Sequence, residues 1–293
     1  MSGYGTSPIR RRLTRHELEL LDQAVLDVAE AEQPVSVRGI AYRVLTHPLN
    51  VEHGLIEKSE NDFRKVQRAA LRLRRARVLP YSWVADGTRW VIRATTYGGA
   101  DAAIADLTAS YRRDLWRSQS ARVEVWSEKD AMASVLSPVT DAWQVGLYVA
   151  RGFPSETFLY ESAMTARDAG RPTLLLQVGD HDASGVLAWE DTQRKLRSFA
   201  PEVEWDFRRL AVTEEQIRDL ALPTRPQKRT THAAGWSGGA VEVDAVPSRY
   251  LRTILEDAIT AVLDSRLLRL ERIVEEHERA FLEALPTYGG GGR

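Results

Sequence analysis

The chain has 293 residues, 43% of them hydrophobic, which is enough for one or two domains with cores of their own. It contains no cysteine, which excludes disulfides, thiolate zinc sites and cysteine nucleophiles and leaves carboxylates and six histidines as candidate metal ligands. The sequence has no run of about 20 apolar residues that would span a membrane. Its first residues also lack the apolar core of a signal peptide. We therefore expect a cytoplasmic protein that does not associate with membranes.

The net charge of -1 is unevenly distributed along the chain. Residues 1–120 contain 19 Lys and Arg against 14 Asp and Glu, whereas residues 121–293 contain 21 against 27. A basic front half and an acidic back half favour two separate tasks, which are the binding of a polyanion and the binding of a cation.

Three helices are predicted before residue 78. Residues 15–32 form the first, with apolar side chains at helical spacing. These side chains are Leu18, Leu21, Ala24, Val25 and Val28. Ser36 caps a second helix, which Pro48 stops. After a loop, residues 61–77 form the third helix.

The third helix carries an apolar stripe and a basic stripe. The apolar stripe, which we expect to be buried, consists of Phe63, Val66, Ala70 and Leu73. The basic stripe consists of Arg64, Arg68, Arg72 and Arg75. Four arginines on one face suit contacts to DNA phosphates or bases. The alternative is an ordinary solvated face.

A β-hairpin is predicted after these helices, because residues 78–94 alternate in character around a turn at Asp86-Gly87. Three helices followed by a two-stranded wing are typical of a winged-helix domain, in which the third helix enters the major groove. We assign this DNA-binding domain to residues 1–97.

A change of pattern to alternating strands and helices indicates a second domain over residues 121–288, after a linker region at 98–120. The predicted strands are residues 121–126, 143–150 and 172–180. Such alternation predicts an open α/β sheet. A long helical region from Ser248 to about Leu285 and a flexible tail at 289–293 complete the chain.

Acidic residues follow two of the predicted strands. Glu128 comes directly after the first strand, and Asp180 and Asp182 leave the third on a turn closed by Gly185. The carboxyl ends of parallel strands are where open α/β sheets bind ligands. Three carboxylates there would form an oxygen-rich site for Mg²⁺ or Mn²⁺. The alternative is that these residues only cap helices and solvate turns.

These motifs resemble the Toprim domain of topoisomerases, primases and related nucleases, in which one strand ends in Glu and another in Asp-x-Asp. The residues that carry the resemblance are Ser127-Glu128-Lys129 and Asp180-His181-Asp182-Ala183-Ser184-Gly185. The sequence is most similar to the A subunit of topoisomerase VI and the meiotic double-strand-break transesterase, because Arg151-Gly152-Phe153-Pro154 resembles a turn of that family. The segment 241–259 resembles one in stand-alone bacterial and phage relatives.

This resemblance implies an α/β protein with an N-terminal winged helix followed by a Rossmann-like Toprim domain and C-terminal helices. It also implies a homodimer that acts on double-stranded DNA. Arg38-Gly39-Ile40-Ala41-Tyr42 resembles the motif that contains the family's nucleophilic tyrosine, although Ala41 replaces an aromatic residue. Tyr42 would then attack the phosphodiester, with assistance from Arg38 or Lys129. The alternative for Tyr42 is a core residue with its hydroxyl at the rim.

Three functions follow as hypotheses. The first is magnesium-dependent cleavage of duplex DNA through a tyrosyl-phosphodiester intermediate, and the second is a hydrolytic Toprim nuclease that uses metal-bound water. The third is a non-catalytic DNA-binding module. Strand passage would need a separate ATPase partner, because the sequence has no nucleotide-binding motif. Arg225, Lys228 and Arg229, in a Pro- and Gly-rich loop, are candidates for a second phosphate contact, and His181 is a candidate substrate contact.

Overall fold

The computed structural model describes residues 13–85, 94–226, 236 and 238–284. It is a mixed α/β protein whose strands pair in parallel. The chain divides into two units, the first formed by the described residues up to Ala85 together with Asp244–Arg249, and the second by the remainder. Among the residues that the structure describes, no helix has the length and apolar character needed to cross a membrane.

The first helix of the first unit, α1 (Arg15–Glu32), has the bounds that the sequence predicts. Thr14 and Glu17 form a reciprocal capping box at its start, which satisfies amide groups that have no partner within the helix. Four of the five predicted apolar positions are buried, and Leu18 is the exception at 39% exposed. Leu18 lies in the first turn of the helix.

The next two helices correct the prediction around Pro48. Helix α2 (Val37–Leu45) ends before the proline, and Pro48 is the first residue of α3 (Pro48–His53), in a segment expected to be a loop. His47 caps α3 through its ring nitrogen. Proline suits the first position of a helix, because its missing N–H would have no partner there.

Helix α4 (Glu60–Arg75) confirms the predicted third helix and its two stripes. The four apolar side chains of the predicted stripe are buried, and the four arginines are exposed. Three arginines in its last turn also suit the negative end of the helix dipole.

The predicted hairpin is described only in part. Tyr81–Trp83 form a short 3₁₀ helix where a strand was expected. Strand β2 (Val84–Ala85) pairs in parallel with β1 (Val35–Ser36). The predicted turn at Asp86-Gly87 lies outside the described residues.

The second unit contains a four-stranded parallel sheet in the order β4-β3-β5-β6. Its strands are β3 (Arg122–Ser127), β4 (Gly146–Val149), β5 (Thr173–Val178) and β6 (Trp205–Ala211). Its connecting helices are α6 (Asp130–Ala142), α7 (Glu156–Ala169) and α8 (Ala183–Phe199). Every residue of β5 is buried, which explains its continuous apolar run. Strand β6 was not predicted, because its sequence WDFRRLA mixes charged and aromatic residues, as an edge strand allows.

The expected linker region at 98–120 lies in the second unit. Helix α5 (Ala100–Ser110) lies within it, and Arg113 forms ion pairs with Glu271 and Glu278. A short helix, α9 (Glu214–Asp219), follows β6.

The predicted C-terminal helical region consists of two helices, α10 (Ser248–Thr260) and α11 (Ser265–Glu283). Asp264 caps α11 and so marks the break between them.

Candidate functional site

The two predicted acidic motifs lie side by side, because β3 and β5 are neighbours in the sheet. The backbone N–H of Glu128 donates to the carbonyl of Val178 at 3.1 Å. The backbone N–H of Asp180 in turn donates to the Glu128 carboxylate, with a nitrogen–oxygen distance of 3.0 Å. The side chain that ends one strand is therefore held by the backbone that follows the other.

Two glycines allow this close approach. A Cβ atom at Gly179 would lie 2.8 Å from a carboxylate oxygen of Glu128, and one at Gly185 would lie 3.0 Å from the same oxygen. At Gly185 it would also meet the Asp180 carbonyl at 2.6 Å. Only glycine fits at these positions, so the loop between β5 and α8 wraps closely around the Glu128 carboxylate.

Asp182 is the N-cap of α8 and accepts a hydrogen bond from the backbone N–H of Gly185 at 2.9 Å. Its second carboxylate oxygen lies 3.7 Å from the guanidinium of Arg225. The predicted capping role and a role in the acidic site are therefore compatible, because each uses a different oxygen.

A fourth carboxylate, that of Glu242, joins the group. Its segment is held by backbone hydrogen bonds between Val241 and His181 and by a bond from the Val243 N–H to the Asp180 carboxylate at 2.9 Å. Lys129 lies between two carboxylates, 2.9 Å from that of Asp180 and 3.6 Å from that of Glu242. We call Glu128, Asp180, Asp182 and Glu242 the acidic cluster.

Two arginines border the acidic cluster. The guanidinium of Arg225 lies 3.5 Å from the carboxylate of Glu242. Arg209 donates to the backbone carbonyls of Gly179, Asp180 and Val212. It thereby fixes the backbone on which Asp180 stands.

Burial raises the pKa of Glu128 to about 7, and the negative charge of Asp180 adds to this effect. Burial also raises the pKa of Asp180, although the ammonium group of Lys129 opposes the change. Crowding acidic groups in a poorly solvated place disfavours their ionised forms unless a cation is close. The acidic cluster therefore favours bound positive charge.

The donor atoms of the acidic cluster suit a hard divalent ion, because all of them are carboxylate oxygens. Their positions do not form a closed cage: across the described ranges, no group of three or more Asp, Glu and His side chains is arranged to hold a metal ion. Lys129 and Arg225 interact with three of the four carboxylates. The chemistry thus fits Mg²⁺ or Mn²⁺, but these ion pairs must rearrange before the carboxylates can share an ion.

Tyr42 and Arg38 belong to the first unit, whereas the acidic cluster belongs to the second. Tyr42 is 2% exposed and packs edge-on against Phe63, with 4.9 Å between ring centroids. The guanidinium of Arg38 lies 6.0 Å from the Tyr42 ring and bonds to Glu60 at 2.9 Å. This is the core position that the alternative interpretation of Tyr42 predicts.

The arginines of α4 that are candidate DNA contacts differ in whether they already pair with a carboxylate. Arg72 makes a two-pronged ion pair with Asp22, so part of its charge is already neutralised. Arg64, Arg68 and Arg75 are exposed on the same helix. Lys228 and Arg229 lie outside the described residues.

Sequence reasoning missed Glu242 and Arg209. The alternation Val241-Glu242-Val243 was a signal for an extended segment, but nothing in it indicates that its acidic residue meets two strand ends far earlier in the chain. Arg225, a candidate for a phosphate contact, borders the acidic cluster. The ring of His181 lies 5.1 Å from that of Trp236.

A comparison of the sequence with protein-family models and with curated proteins found no match.

The raised pKa of Glu128 predicts that stability in metal-free buffer falls between about pH 5 and pH 8. The folded protein holds a proton on Glu128 up to a pKa of about 7, whereas the unfolded chain loses it near the ordinary value of 4.5. The contribution of Glu128 to stability is therefore greatest below pH 4.5 and declines as the pH rises through 7, by about 3 kcal/mol. Denaturant titrations at about pH 5 and about pH 8 measure the free energy of unfolding of the wild type and of Glu128→Gln. The fall between the two pH values should be larger in the wild type. The same pH dependence in both proteins would contradict the assignment to Glu128.

Proposed function

We propose that this chain is a magnesium-dependent DNA-cleaving enzyme with a winged-helix DNA-binding domain and a Toprim domain. It would be a relative of the topoisomerase VI A subunit and the meiotic double-strand-break transesterase. The observation that carries the proposal is the hydrogen bond between Glu128 and Asp180, which brings the two acidic motifs together at neighbouring ends of parallel strands. That edge of an open α/β sheet is the usual place for ligands.

Glu128, Asp180 and Asp182 would hold the ion, and Glu242 would lie beside it. When bound, Mg²⁺ supplies positive charge against the oxygens of the scissile phosphate. Lys129 and Arg225, which now pair with carboxylates of the acidic cluster, would then neutralise the negative charge of the phosphate.

Water is the nucleophile that the geometry favours. A nucleophilic tyrosine must reach phosphorus, and the side chain of Tyr42 is 2% exposed. In hydrolysis the water oxygen would bond to phosphorus while the bond from phosphorus to the leaving sugar oxygen breaks. A carboxylate of the acidic cluster would accept the proton from water, and the leaving oxygen would take up a proton from solvent. The products are a phosphate monoester and a hydroxyl end. Attack by Tyr42 would instead leave one DNA end linked to the protein.

Helix α4 is the proposed DNA-reading element. Its exposed arginines lie opposite its buried apolar stripe, so they face away from the core of the first unit. A helix with several arginines on its solvent side suits the phosphate backbone and guanine edges of the major groove. A homodimer would supply two acidic clusters, one for each DNA strand, and strand passage would need an ATPase partner.

We expect Glu128→Gln to abolish cleavage of supercoiled plasmid in Mg²⁺ or Mn²⁺, while Tyr42→Phe keeps it. Glu128→Gln replaces the carboxylate with an amide of the same size, and Tyr42→Phe removes only the hydroxyl. Asp168→Asn and Tyr160→Phe, at exposed positions of α7, serve as matched controls. Products are separated with and without protease treatment.

Two results together would establish the tyrosyl mechanism instead. Tyr42→Phe would fail to cleave, and the DNA ends made by the wild-type protein would enter the gel only after proteolysis. Intact plasmid with the wild-type protein, together with normal DNA binding, would reduce the chain to a DNA-binding module.

Removal of Arg225 should strengthen metal binding, because this guanidinium competes with the ion for Asp182 and Glu242. A unit charge a few ångströms away contributes on the order of 1 kcal/mol or more, so Arg225→Met should lower the Kd for Mn²⁺ by about tenfold. Titration followed by electron paramagnetic resonance measures this without any DNA. Arg194→Met, on the exposed side of α8, is the control. Unchanged or weaker Mn²⁺ binding would argue against an ion in the acidic cluster.

The arginines of α4 should provide much of the salt dependence of DNA binding. Each phosphate contact contributes about 0.9 to the slope of log K against log salt. The triple variant Arg64→Ala, Arg68→Ala, Arg75→Ala should therefore reduce that slope by about 2–3. A control with the same charge change replaces Arg167, Arg194 and Arg208, which are exposed in the second unit. Equal slopes in the two triple variants would place the DNA surface elsewhere.

A further inference from the structure

The side chain of Gln177 is a buried amide within the apolar run of β5. It follows three leucines and precedes Val178, and it is 5% exposed. In the pairing of β5 with β3 it lies opposite Trp126. An apolar side chain would suit these surroundings better, because burying an amide is unfavourable unless hydrogen bonds compensate. A residue that departs from the local pattern in this way is a candidate for a functional role.

The amide of Gln177 lacks hydrogen bonds that its burial requires. Its carbonyl oxygen is enclosed, and no residue that the structure describes donates to it. The side chain lines a cavity of about 20 Å³ that also borders Glu128 and Thr192. The Thr192 hydroxyl donates within its own helix, to the carbonyl of Ala188 at 2.8 Å. Thr192 is thus engaged, which leaves the Glu128 carboxylate as the acceptor beside the amide.

The amino group of Gln177 and the carboxylate of Glu128 face the same point above Gly179. A Cβ atom at Gly179 would meet Gln177 Nε2 and would lie 2.8 Å from Glu128 Oε2. The same carboxylate oxygen accepts the Asp180 N–H at 3.0 Å. Across the described residues, no group donates a hydrogen bond to Oε1 of Glu128. One oxygen of Glu128 is therefore held by the protein, and the other is available to a ligand.

We propose that Gln177 is a positioning residue for Glu128. Its amino group and the Asp180 N–H donate to Oε2, so that Glu128 presents Oε1 to a divalent ion. The carbonyl oxygen of Gln177 accepts from a water molecule, for which the cavity has room. Hydrogen bonds of this kind orient a metal ligand from the side away from the ion. The inference rests on the proposed function, because it concerns the same metal site.

Gln177→Met tests this role, because methionine has about the same size and lacks both polar groups. Partners that orient a metal ligand typically contribute about 10–100-fold to metal affinity, so the Kd for Mn²⁺ should rise about tenfold or more. Electron paramagnetic resonance measures it without DNA. The free energy of unfolding, from denaturant titration, should stay the same or increase, since an apolar side chain replaces a poorly paired amide. Gln177→Leu provides a second apolar variant.

Thr192→Val is the matched control, because it changes the wall of the same cavity and keeps the Gln177 amide. It should bind Mn²⁺ as the wild type does. An equal loss of affinity in Thr192→Val and Gln177→Met would assign the effect to packing around the cavity and overturn the proposal. A marked loss of stability in both apolar variants of Gln177 would also overturn it, because that result indicates a structural role.

A double-mutant cycle shows whether Gln177 acts through Glu128. In the Glu128→Gln background, Gln177→Met should cause little further weakening of Mn²⁺ binding, since the carboxylate that it positions is gone. Fully additive losses would contradict the proposal. A wild type that binds no Mn²⁺ would refute the metal site of the proposed function and this role with it. Wild-type binding that is unchanged in Gln177→Met would refute this role alone.

Discussion

The second unit depends on how the carboxylate of Glu128 is accommodated at the end of a parallel sheet. The Asp180 N–H donates to it, and two glycines leave room for it. A buried carboxylate is costly unless hydrogen bonds or a cation compensate. Glu124, on the same strand, shows the fully compensated case: it is 0% exposed and bonds to Arg122, Trp126 and Ser162. Glu128 instead lies beside like charges, and its pKa is raised to about 7.

The surroundings of Glu124 suit a carboxylate with a structural role, whereas those of Glu128 suit a carboxylate that binds a ligand. The bonds of Glu124 come from its own strand and from the adjacent helix, so its charge is neutralised as soon as the unit folds. The acidic cluster is compensated by Lys129 and Arg225, two long side chains at its border. Such pairs exchange readily with other ions, because a dication binds several carboxylates more strongly than an ammonium or guanidinium does. Lys129 and Arg225 can therefore neutralise the carboxylates when no ligand is bound. Under the proposed function, they neutralise the phosphate when DNA is bound.

Much of this organisation was predictable from the sequence where local pattern decides the outcome. The apolar spacing of α1 and α4 and the apolar run of β5 each predicted an element, and the three elements are confirmed. Parallel strand ends also predicted that Glu128 and Asp180 would meet. Glu242 was out of reach, because its position depends on backbone bonds to His181 and Asp180, about 60 residues earlier in the chain. The sequence predicted that Pro48 ends a helix, whereas it begins α3. Proline is compatible with both positions, so the residue alone does not distinguish them.

The position of Tyr42 bears on how far the resemblance to the tyrosyl enzymes extends. On α2 it follows Arg38 by one helical turn, and both side chains lie against Phe63. A side chain 2% exposed in this packing contributes the burial energy of an aromatic ring to the first unit. A nucleophile must instead leave its neighbours to reach phosphorus, which would require α2 and α4 to separate. Packing thus accounts for Tyr42 without catalysis. Capping and ion pairs account for only part of the acidic cluster, in which burial and crowded charge raise the pKa of Glu128.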